Sequence, residues 1–350
     1  MIPFKKSRLG RPAALLLALL IGATSGVAAS AQPAPSADAA LQHVDPQLRA
    51  KANRGTELTD ELVRKVHAMP PSSTPAPSQD PPVFEKRIKG LDGQPDVSIV
   101  VVNAKPGASR PGILHTHGGG YVLGSAKQYL WLIQPIAKAL DVTIVSVDYR
   151  LAPETTYKGS VQDNYAGLKW LYDHAAELGV DRKRLAVMGE SAGGGHAALL
   201  ALEARKRGEI PLAYQVLLYP MLDDRTGSSR TPAPQAGRFI WTAPNNRIGW
   251  RSFLGSEPGT AKVPAEAVPA RTKDLSSLPP TYIAVGDIDL FVEEDVAYAR
   301  RLIEAGVPVE LHVFRGGYHG FNMLVPDAAL SKLYEATLLD ALRRGLDIHN

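Results

Sequence analysis

Short apolar runs rich in β-branched residues alternate with helical stretches along most of this chain. The runs that we predict as strands are Val97–Val102, Gly112–His115, Val142–Val147, Leu185–Met188, Tyr214–Leu218, Tyr282–Val285 and Val309–Phe314. The predicted helices are Tyr129–Ala139, Val161–Leu178, Gly194–Lys206 and Glu293–Ala305. This alternation predicts an α/β fold with a mostly parallel central sheet that is covered by helices on both faces. At 350 residues, 45% of them hydrophobic, the chain can form one large core with a cap.

The first 31 residues have the pattern of a signal peptide. A basic start, from Lys5 to Arg11, is followed by an apolar stretch, and Ala29-Ser30-Ala31 fits a cleavage site. A retained membrane anchor is the alternative, but small and polar residues cut the stretch short of the ~20 apolar residues that a spanning helix needs. We therefore expect an exported protein, periplasmic or secreted, which begins near Gln32 and has no stable membrane insertion. Because a twin-arginine pair is lacking, the Sec route is favoured.

Removing this segment also removes the excess positive charge. The chain has 39 Lys and Arg against 35 Asp and Glu, and four of the basic residues but none of the acidic ones lie in residues 1–31. The remainder is balanced at 35 of each sign, so its charge gives no support for nucleic-acid binding. The chain has no cysteine, which excludes disulfides, thiolate metal sites and a cysteine nucleophile.

Two segments that are far apart in sequence are predicted to form a cap. Residues 32–83 are interpreted as a linker and an N-terminal cap segment, with a helix over Asp45–Met69. Residues 84–350 form the main domain, and an insertion at about 225–265, rich in Pro, Gly, Ser and aromatic residues, interrupts the alternation. Such an insertion commonly lies over the carboxyl ends of the strands, although a packed surface excursion is the alternative.

The run Gly189-Glu190-Ser191-Ala192-Gly193 lies between a predicted strand and a predicted helix. Gly-x-Ser-x-Gly alone is a weak motif, but in a strand-turn-helix context it is typical of a nucleophile elbow. Glycines flank the serine because side chains there would clash in a strained turn. We therefore predict Ser191 as a catalytic nucleophile at the N-terminus of a helix, whose dipole favours negative charge.

A serine nucleophile needs a base, and the base needs an acid. His319 lies in a glycine-rich loop after the last predicted strand and is the predicted base. In this fold the acid comes between the serine and the histidine in the sequence. Asp289 is favoured, Asp287 is next, and the pair Asp223-Asp224 after an earlier strand is a rival.

Consecutive glycines at His117-Gly118-Gly119-Gly120 follow a predicted strand. They allow backbone N–H groups to point toward one place, and we predict an oxyanion hole made by the N–H groups of Gly118, Gly119 and Ala192. A phosphate-binding loop is the weaker interpretation, because the Walker lysine and the dinucleotide fingerprint are lacking. His117 is expected to orient the loop rather than to take part in the chemistry.

Four ordered motifs resemble the bacterial hormone-sensitive-lipase family (family IV) of esterases. They are His117-Gly118-Gly119-Gly120 with Gly124-Ser125, Asp148-Tyr149-Arg150-Leu151-Ala152-Pro153-Glu154, Gly189-Glu190-Ser191-Ala192-Gly193 and His319-Gly320-Phe321. The resemblance runs from about Phe84 to the C-terminus and implies an α/β-hydrolase fold with an N-terminal cap, activity on mostly short-chain carboxylic esters, and no cofactor. The family's run Asp-Pro-Leu-x-Asp-Glu, aligned on Asp289, supports Asp289 over Asp287. Two departures are Leu290 in place of Pro and Glu190 in place of the more common Asp.

The sequence thus predicts an exported serine carboxylesterase that acts on a small-molecule, short-chain ester without a metal. An amidase or peptidase with the same triad is one alternative, and a ligand-binding protein built on an inactive hydrolase is another. The cap aromatics Phe239, Trp241, Trp250 and Phe253 are expected either to line the substrate pocket or to form the core of the cap.

Overall fold

A single mixed β-sheet organises the computed structural model, which describes residues 37–69 and 76–349. The predicted signal peptide at residues 1–31 lies outside these residues. Within them, eight strands form the sheet: β1 Val83–Ile88, β2 Val97–Val102, β3 Arg110–Thr116, β4 Thr143–Asp148, β5 Val180–Glu190, β6 Tyr214–Leu218, β7 Thr281–Gly286 and β8 Val309–Phe314.

The strands are ordered β1-β2-β4-β3-β5-β6-β7-β8 across the sheet. β2 pairs antiparallel with both β1 and β4, and all pairs from β4 to β8 are parallel. The carboxyl ends of the parallel strands therefore meet at one edge, where α/β proteins bind their ligands. The predicted α/β fold with a mostly parallel sheet is confirmed.

Helices cover both faces of this sheet. The described residues contain α1 Ala37–Leu41, α2 Asp60–Ala68, α3 Leu130–Leu140, α4 Tyr157–Asp173, α5 Ala175–Leu178, α6 Ala192–Arg207, α7 Ala243–Leu254, α8 Val292–Glu304, α9 Phe321–Leu324 and α10 Ala329–Gly345. Alternate residues of each strand serve the two faces. In β5, Ala186 and Met188 pack in a cluster with α3 and α10. Leu185 and Val187 pack in another with α4, α6 and α8.

The helix predicted over Asp45–Met69 is wrong in its first half. The Asp45 carboxylate accepts a hydrogen bond from the backbone of Gln47 and closes a local turn, and a helix begins only at Asp60. Thr59 caps that helix, since its hydroxyl accepts from the N–H of Leu62 at 3.1 Å. The chain before it has one 3-10 turn at Arg49–Lys51 and then no regular secondary structure up to Thr59. It stays close to the insertion, so tertiary contacts there replace helical hydrogen bonds.

These contacts join the N-terminal segment to the insertion between β6 and β7. The side chain of Asn245 in α7 accepts from the N–H of Leu58 at 2.8 Å and donates to the carbonyl of Thr56 at 2.9 Å. The N–H of Ile240 donates to the carbonyl of Asn53 at 2.8 Å. The N-terminal segment and the insertion therefore pack against each other. Among the described residues, no helix has the length and apolarity needed to cross a membrane.

Candidate active site

The turn between β5 and α6 holds Ser191 in a strained backbone conformation, with φ 54° and ψ −121°. A Cβ at Gly189 would overlap the carbonyl of Gly193, and a Cβ at Gly193 would overlap the carbonyl of Thr116. Both flanking glycines are therefore required by backbone contacts, as the sequence predicts. The turn is anchored by a hydrogen bond from the N–H of Ser191 to the carbonyl of Leu218, at 2.9 Å. It presents the hydroxyl at the positive end of α6.

Three side chains that the sequence singles out meet in one hydrogen-bonded row. The Nε2 atom of His319 lies 2.9 Å from the Oγ atom of Ser191, and Nδ1 lies 2.9 Å from the Oδ2 atom of Asp289. The other oxygen of Asp289 accepts from the N–H of Phe291 at 3.0 Å, which fixes the carboxylate. Ser191 and His319 are only 6% and 7% exposed, so the row is largely shielded from water.

The rival aspartates have other partners. Asp287 accepts from the backbone N–H of Gly316 at 2.6 Å, in the loop that leads to His319. Asp223 is held by two arginines that follow it in sequence, and Asp224 pairs with Arg271 at 2.6 Å. Burial alone would raise the pKa of Asp223, but the hydrogen bonds and charges of its arginines lower it. Of these four aspartates, it is Asp289 that contacts the imidazole of His319.

The glycine-rich loop at residues 117–120 lies beside the Ser191 turn. Gly119 has φ 122°, where a side chain is strained, and a Cβ there would overlap the carbonyl of Leu123. The loop is anchored at its start, because the Tyr149 hydroxyl donates to the carbonyl of His117 at 2.7 Å. Gly118 is so close to the turn that a Cβ on it would lie 3.5 Å from the Cβ of Ser191. The backbone of the loop therefore faces the serine closely.

His117 is a buried, neutral side chain that shapes this loop. Its imidazole stacks on the ring of Tyr149 with centroids 4.2 Å apart, and Nδ1 donates to the carbonyl of Gly118 at 2.8 Å. Burial lowers the pKa of His117 to about 3, against the opposing effect of that hydrogen bond. An imidazole that stays neutral and makes a local backbone bond is suited to holding the loop, which is the role predicted for it.

The four cap aromatics divide between the site and the packed interior. The indole of Trp241 lies 6.2 Å from the ring of His319, measured between centroids, and covers the Cα of Gly120. Trp250 and Phe253 pack around Tyr121 in a cluster that joins α7 to the main domain, and Phe239 packs against Tyr318 in the main core. Trp241 is therefore the one of these four that stands beside His319, and Phe239 fits neither expectation because it belongs to the core of the main domain.

Two further aromatic side chains, not predicted from the sequence, flank the imidazole of His319. The rings of Tyr219 and Phe291 lie 5.0 Å and 5.3 Å from it, both edge-on. They come just after β6 and two residues after Asp289. A signal was available, because side chains that follow parallel strands cluster at the carboxyl edge of a sheet. Within residues 37–69 and 76–349, no group of three or more His, Asp or Glu side chains is placed to hold a metal ion.

A family model for the alpha/beta hydrolase fold matches residues 113–323, more than half of the chain. The chain belongs to the α/β-hydrolase fold family. It is similar to a carboxylesterase, NlhH, of Mycobacterium tuberculosis, with 36% identity over 75% of this chain and 83% of that protein. It is also similar to an ethyl acetate hydrolase of Pseudomonas putida, with 33% identity over 62% of this chain and 67% of that protein.

A solved structure agrees with these relatives. A bacterial heroin esterase is 38% identical in sequence, with a TM-score of 0.75 over 87% of this chain and 99% of that one. The resemblance to the hormone-sensitive-lipase branch is thereby confirmed, and the chain is a carboxylic ester hydrolase.

Proposed function

We propose that this protein is an exported serine carboxylesterase that hydrolyses short-chain carboxylic esters through Ser191, His319 and Asp289. The observation that carries the proposal is the pair of 2.9 Å contacts that His319 makes, one to the serine hydroxyl and one to the aspartate. These contacts fit a base that removes a proton from a nucleophile while an acid holds the base in orientation.

In this mechanism His319 takes the proton of Ser191 as the oxygen attacks the ester carbonyl. The same imidazole then gives that proton to the departing alcohol, and water releases the acid from the acyl-enzyme by the same route. Asp289 favours the tautomer with hydrogen on Nδ1 and stabilises the imidazolium. The tetrahedral oxyanion is stabilised by backbone N–H groups at the end of α6 and in the glycine-rich loop.

The predicted donors to the oxyanion are the N–H groups of Gly118, Gly119 and Ala192. Each such donor is typically worth about 3 kcal/mol in the transition state. Gly118 also lies close to the buried hydroxyl of Tyr129, since a Cβ on Gly118 would be 2.6 Å from that oxygen. Because this hydroxyl competes with a substrate for the backbone of Gly118, we rank Gly119 and Ala192 as the stronger donors of the three.

Selectivity for small esters is supported by the closeness of the cap. The indole of Trp241 occupies the space above Gly120 and next to His319, where a long chain would have to pass. The activity on ethyl acetate named for the relative from P. putida is also activity on a small ester. A chain-length series of nitrophenyl esters tests this, and faster turnover of decanoyl than of acetyl or butyryl esters would refute it.

Labelling with a fluorophosphonate tests the nucleophile directly. We expect label on wild-type protein and none on Ser191→Ala, which should also lose ester turnover. A protein that only binds ligands on an inactive hydrolase would stay unlabelled. An amidase or peptidase would be labelled but would hydrolyse anilides at least as fast as matched esters, whereas we expect the ester to be much faster.

Export rests on the sequence of residues 1–31 and is tested separately. We expect protein recovered from the periplasm or the medium to begin near Gln32. Recovery of exported protein with Met1 intact would refute the cleaved signal without affecting the proposed chemistry.

A further inference from the structure

A second, fully buried polar row lies behind the Ser191 turn. The Nε2 atom of His115 lies 3.0 Å and 3.2 Å from the two carboxylate oxygens of Glu190, and its Nδ1 atom lies 2.8 Å from the Oγ atom of Ser146. The side chains of His115 and Glu190 are 0% and 1% exposed. Burying a carboxylate costs desolvation free energy unless the group is paired, so the hydrogen bond from His115 offsets the burial of Glu190.

The row spans the two strands that lead into the proposed reacting groups. Glu190 is the last residue of β5 and is followed directly by Ser191. His115 lies near the end of β3, three residues before Gly118. The two strands are parallel neighbours, with His115 opposite Met188. The hydrogen bond between His115 and Glu190 thus links the strand that leads into the Ser191 turn to the strand that leads into the glycine-rich loop.

The side chain of Tyr129, which lies beside His115, fills the space between the Ser191 turn and the glycine-rich loop. A Cβ on Gly118 would lie 2.6 Å from the hydroxyl oxygen of Tyr129 and 2.9 Å from the carbonyl oxygen of Glu190. The ring of Tyr129 lies 5.8 Å from that of His115, measured between centroids. Gly118 is therefore enclosed between Tyr129 and the backbone of Glu190, and a shift of Glu190 would be transmitted to the loop.

The length of Glu190 matters for this contact. Aspartate would withdraw the carboxylate by about one C–C bond, roughly 1.5 Å, which leaves the imidazole beyond hydrogen-bond distance. Glutamine, by contrast, keeps the length and one acceptor oxygen while it removes the charge. The two substitutions therefore separate reach from charge.

We infer that Glu190, through His115, is a positioning residue that sets the distance between Ser191 and the backbone donors of the glycine-rich loop. The inference rests on the proposed function, because it concerns the geometry of that same site. Displacing reacting groups by about 1 Å can cost about 100-fold in rate. A loss of this kind falls on kcat rather than on KM, because the donors act on the transition state.

The test compares Glu190→Gln and Glu190→Asp, with Glu203→Gln on α6 as the matched control. Glu203 is bonded to Arg207 at 2.7 Å on the outer part of the same helix. Rates are expressed per active site, titrated with a fluorophosphonate, so that misfolded protein does not count. We expect kcat for nitrophenyl acetate to fall about tenfold or more in Glu190→Asp. We expect a smaller fall in Glu190→Gln, KM within about twofold in both, and an unchanged control.

A double-mutant cycle with His115→Asn completes the experiment. If the two residues act as one unit, the double variant should lose no more kcat than the worse single variant. The inference is overturned by additive losses, by wild-type kcat per site in Glu190→Asp, or by a larger loss in Glu190→Gln than in Glu190→Asp. If the proposed function itself fails, wild-type protein will be neither labelled nor active, which is a different result from any of these.

Discussion

Removing the indole of Trp241 should widen the range of esters that the enzyme accepts. The indole covers Gly120 and stands beside His319, and its Nε1 donates to the buried side chain of Asn246 at 3.1 Å. Asn246 in turn donates to the carbonyl of Thr226 at 2.8 Å, which fixes the ring in place. Trp241→Ala therefore opens space beside the glycine-rich loop and leaves the contacts of His319 with Ser191 and Asp289 intact.

The size of the effect follows from the apolar surface that a longer ester can then bury. Each buried methylene contributes about 0.8 kcal/mol, which corresponds to about fourfold in kcat/KM. Hexanoyl exceeds acetyl by four methylenes, so the hexanoyl-to-acetyl ratio of kcat/KM should rise by up to about 200-fold in Trp241→Ala. Activity on the acetyl ester should change much less, since that ester does not reach the vacated space.

The assay is kcat/KM for nitrophenyl esters from acetyl to decanoyl, repeated for acetate esters of alcohols of increasing length. Trp131→Ala provides the matched control, because Trp131 lies on the exposed side of α3, 37% accessible. An unchanged length profile in both series would show that Trp241 does not limit substrate size. Equal loss of activity on all esters would show that Trp241 stabilises the fold but does not select substrates by size.

Three other perturbations have distinct outcomes. Asp289→Asn should lower kcat by roughly 10⁴-fold, because it favours the wrong tautomer of His319. Asp287→Asn should lower kcat far less. If Asp287→Asn had the larger effect, the acid of the triad would be Asp287 instead. Burial, and then the charges of neighbouring carboxylates, raises the pKa of Asp295. The folded state thus keeps a proton that the unfolded state releases, and stability should fall as pH rises above about 4, by up to about 1.4 kcal/mol per pH unit. Asp295→Asn should reduce that slope, measured by denaturant unfolding at pH 5 and pH 8, and part of it should remain because burial also raises the pKa of Glu294. A slope equal to that of the wild type would refute the assignment to Asp295. In Gly193→Ala the new Cβ would overlap the carbonyl of Thr116, so the fraction of protein that a fluorophosphonate titrates should fall sharply. A normal titre with normal kcat would contradict the requirement for glycine in this turn.

Strong local signals made most of the strands predictable. The predicted bounds of β2, β6 and β8 agree with the structure, because β2 and β6 are mostly apolar runs and β8, at the far edge, alternates apolar and polar residues. The strand β1 was missed because its middle is Glu85-Lys86-Arg87, and it pairs on one side only. An edge strand can carry such charges where a central strand cannot. The C-terminal helix α10 was also missed, although it covers one face of the sheet.

The residues of the site were predictable for a different reason. A strained turn and a close backbone approach require glycine, so the glycines around Ser191 and in the glycine-rich loop form motifs that can be recognised in the sequence. The choice among aspartates is not local. Asp287 and Asp289 lie two residues apart, and only the path of the chain after β7 decides which carboxylate reaches His319 and which binds the backbone of Gly316.

The contacts that tune the site are the least visible in the sequence, because they join residues that are far apart in it. His115 and Glu190 are separated by 75 positions, and Leu58 and Asn245 by 187. The cap contacts hold the backbone around Trp241 from the N-terminal segment, while the chemistry proposed for Ser191 depends on its own turn and on the pair of His115 and Glu190 behind it. Substitutions in residues 53–58 can therefore alter which esters fit without touching the groups that react, since substrate size and chemical step are governed by separate sets of contacts.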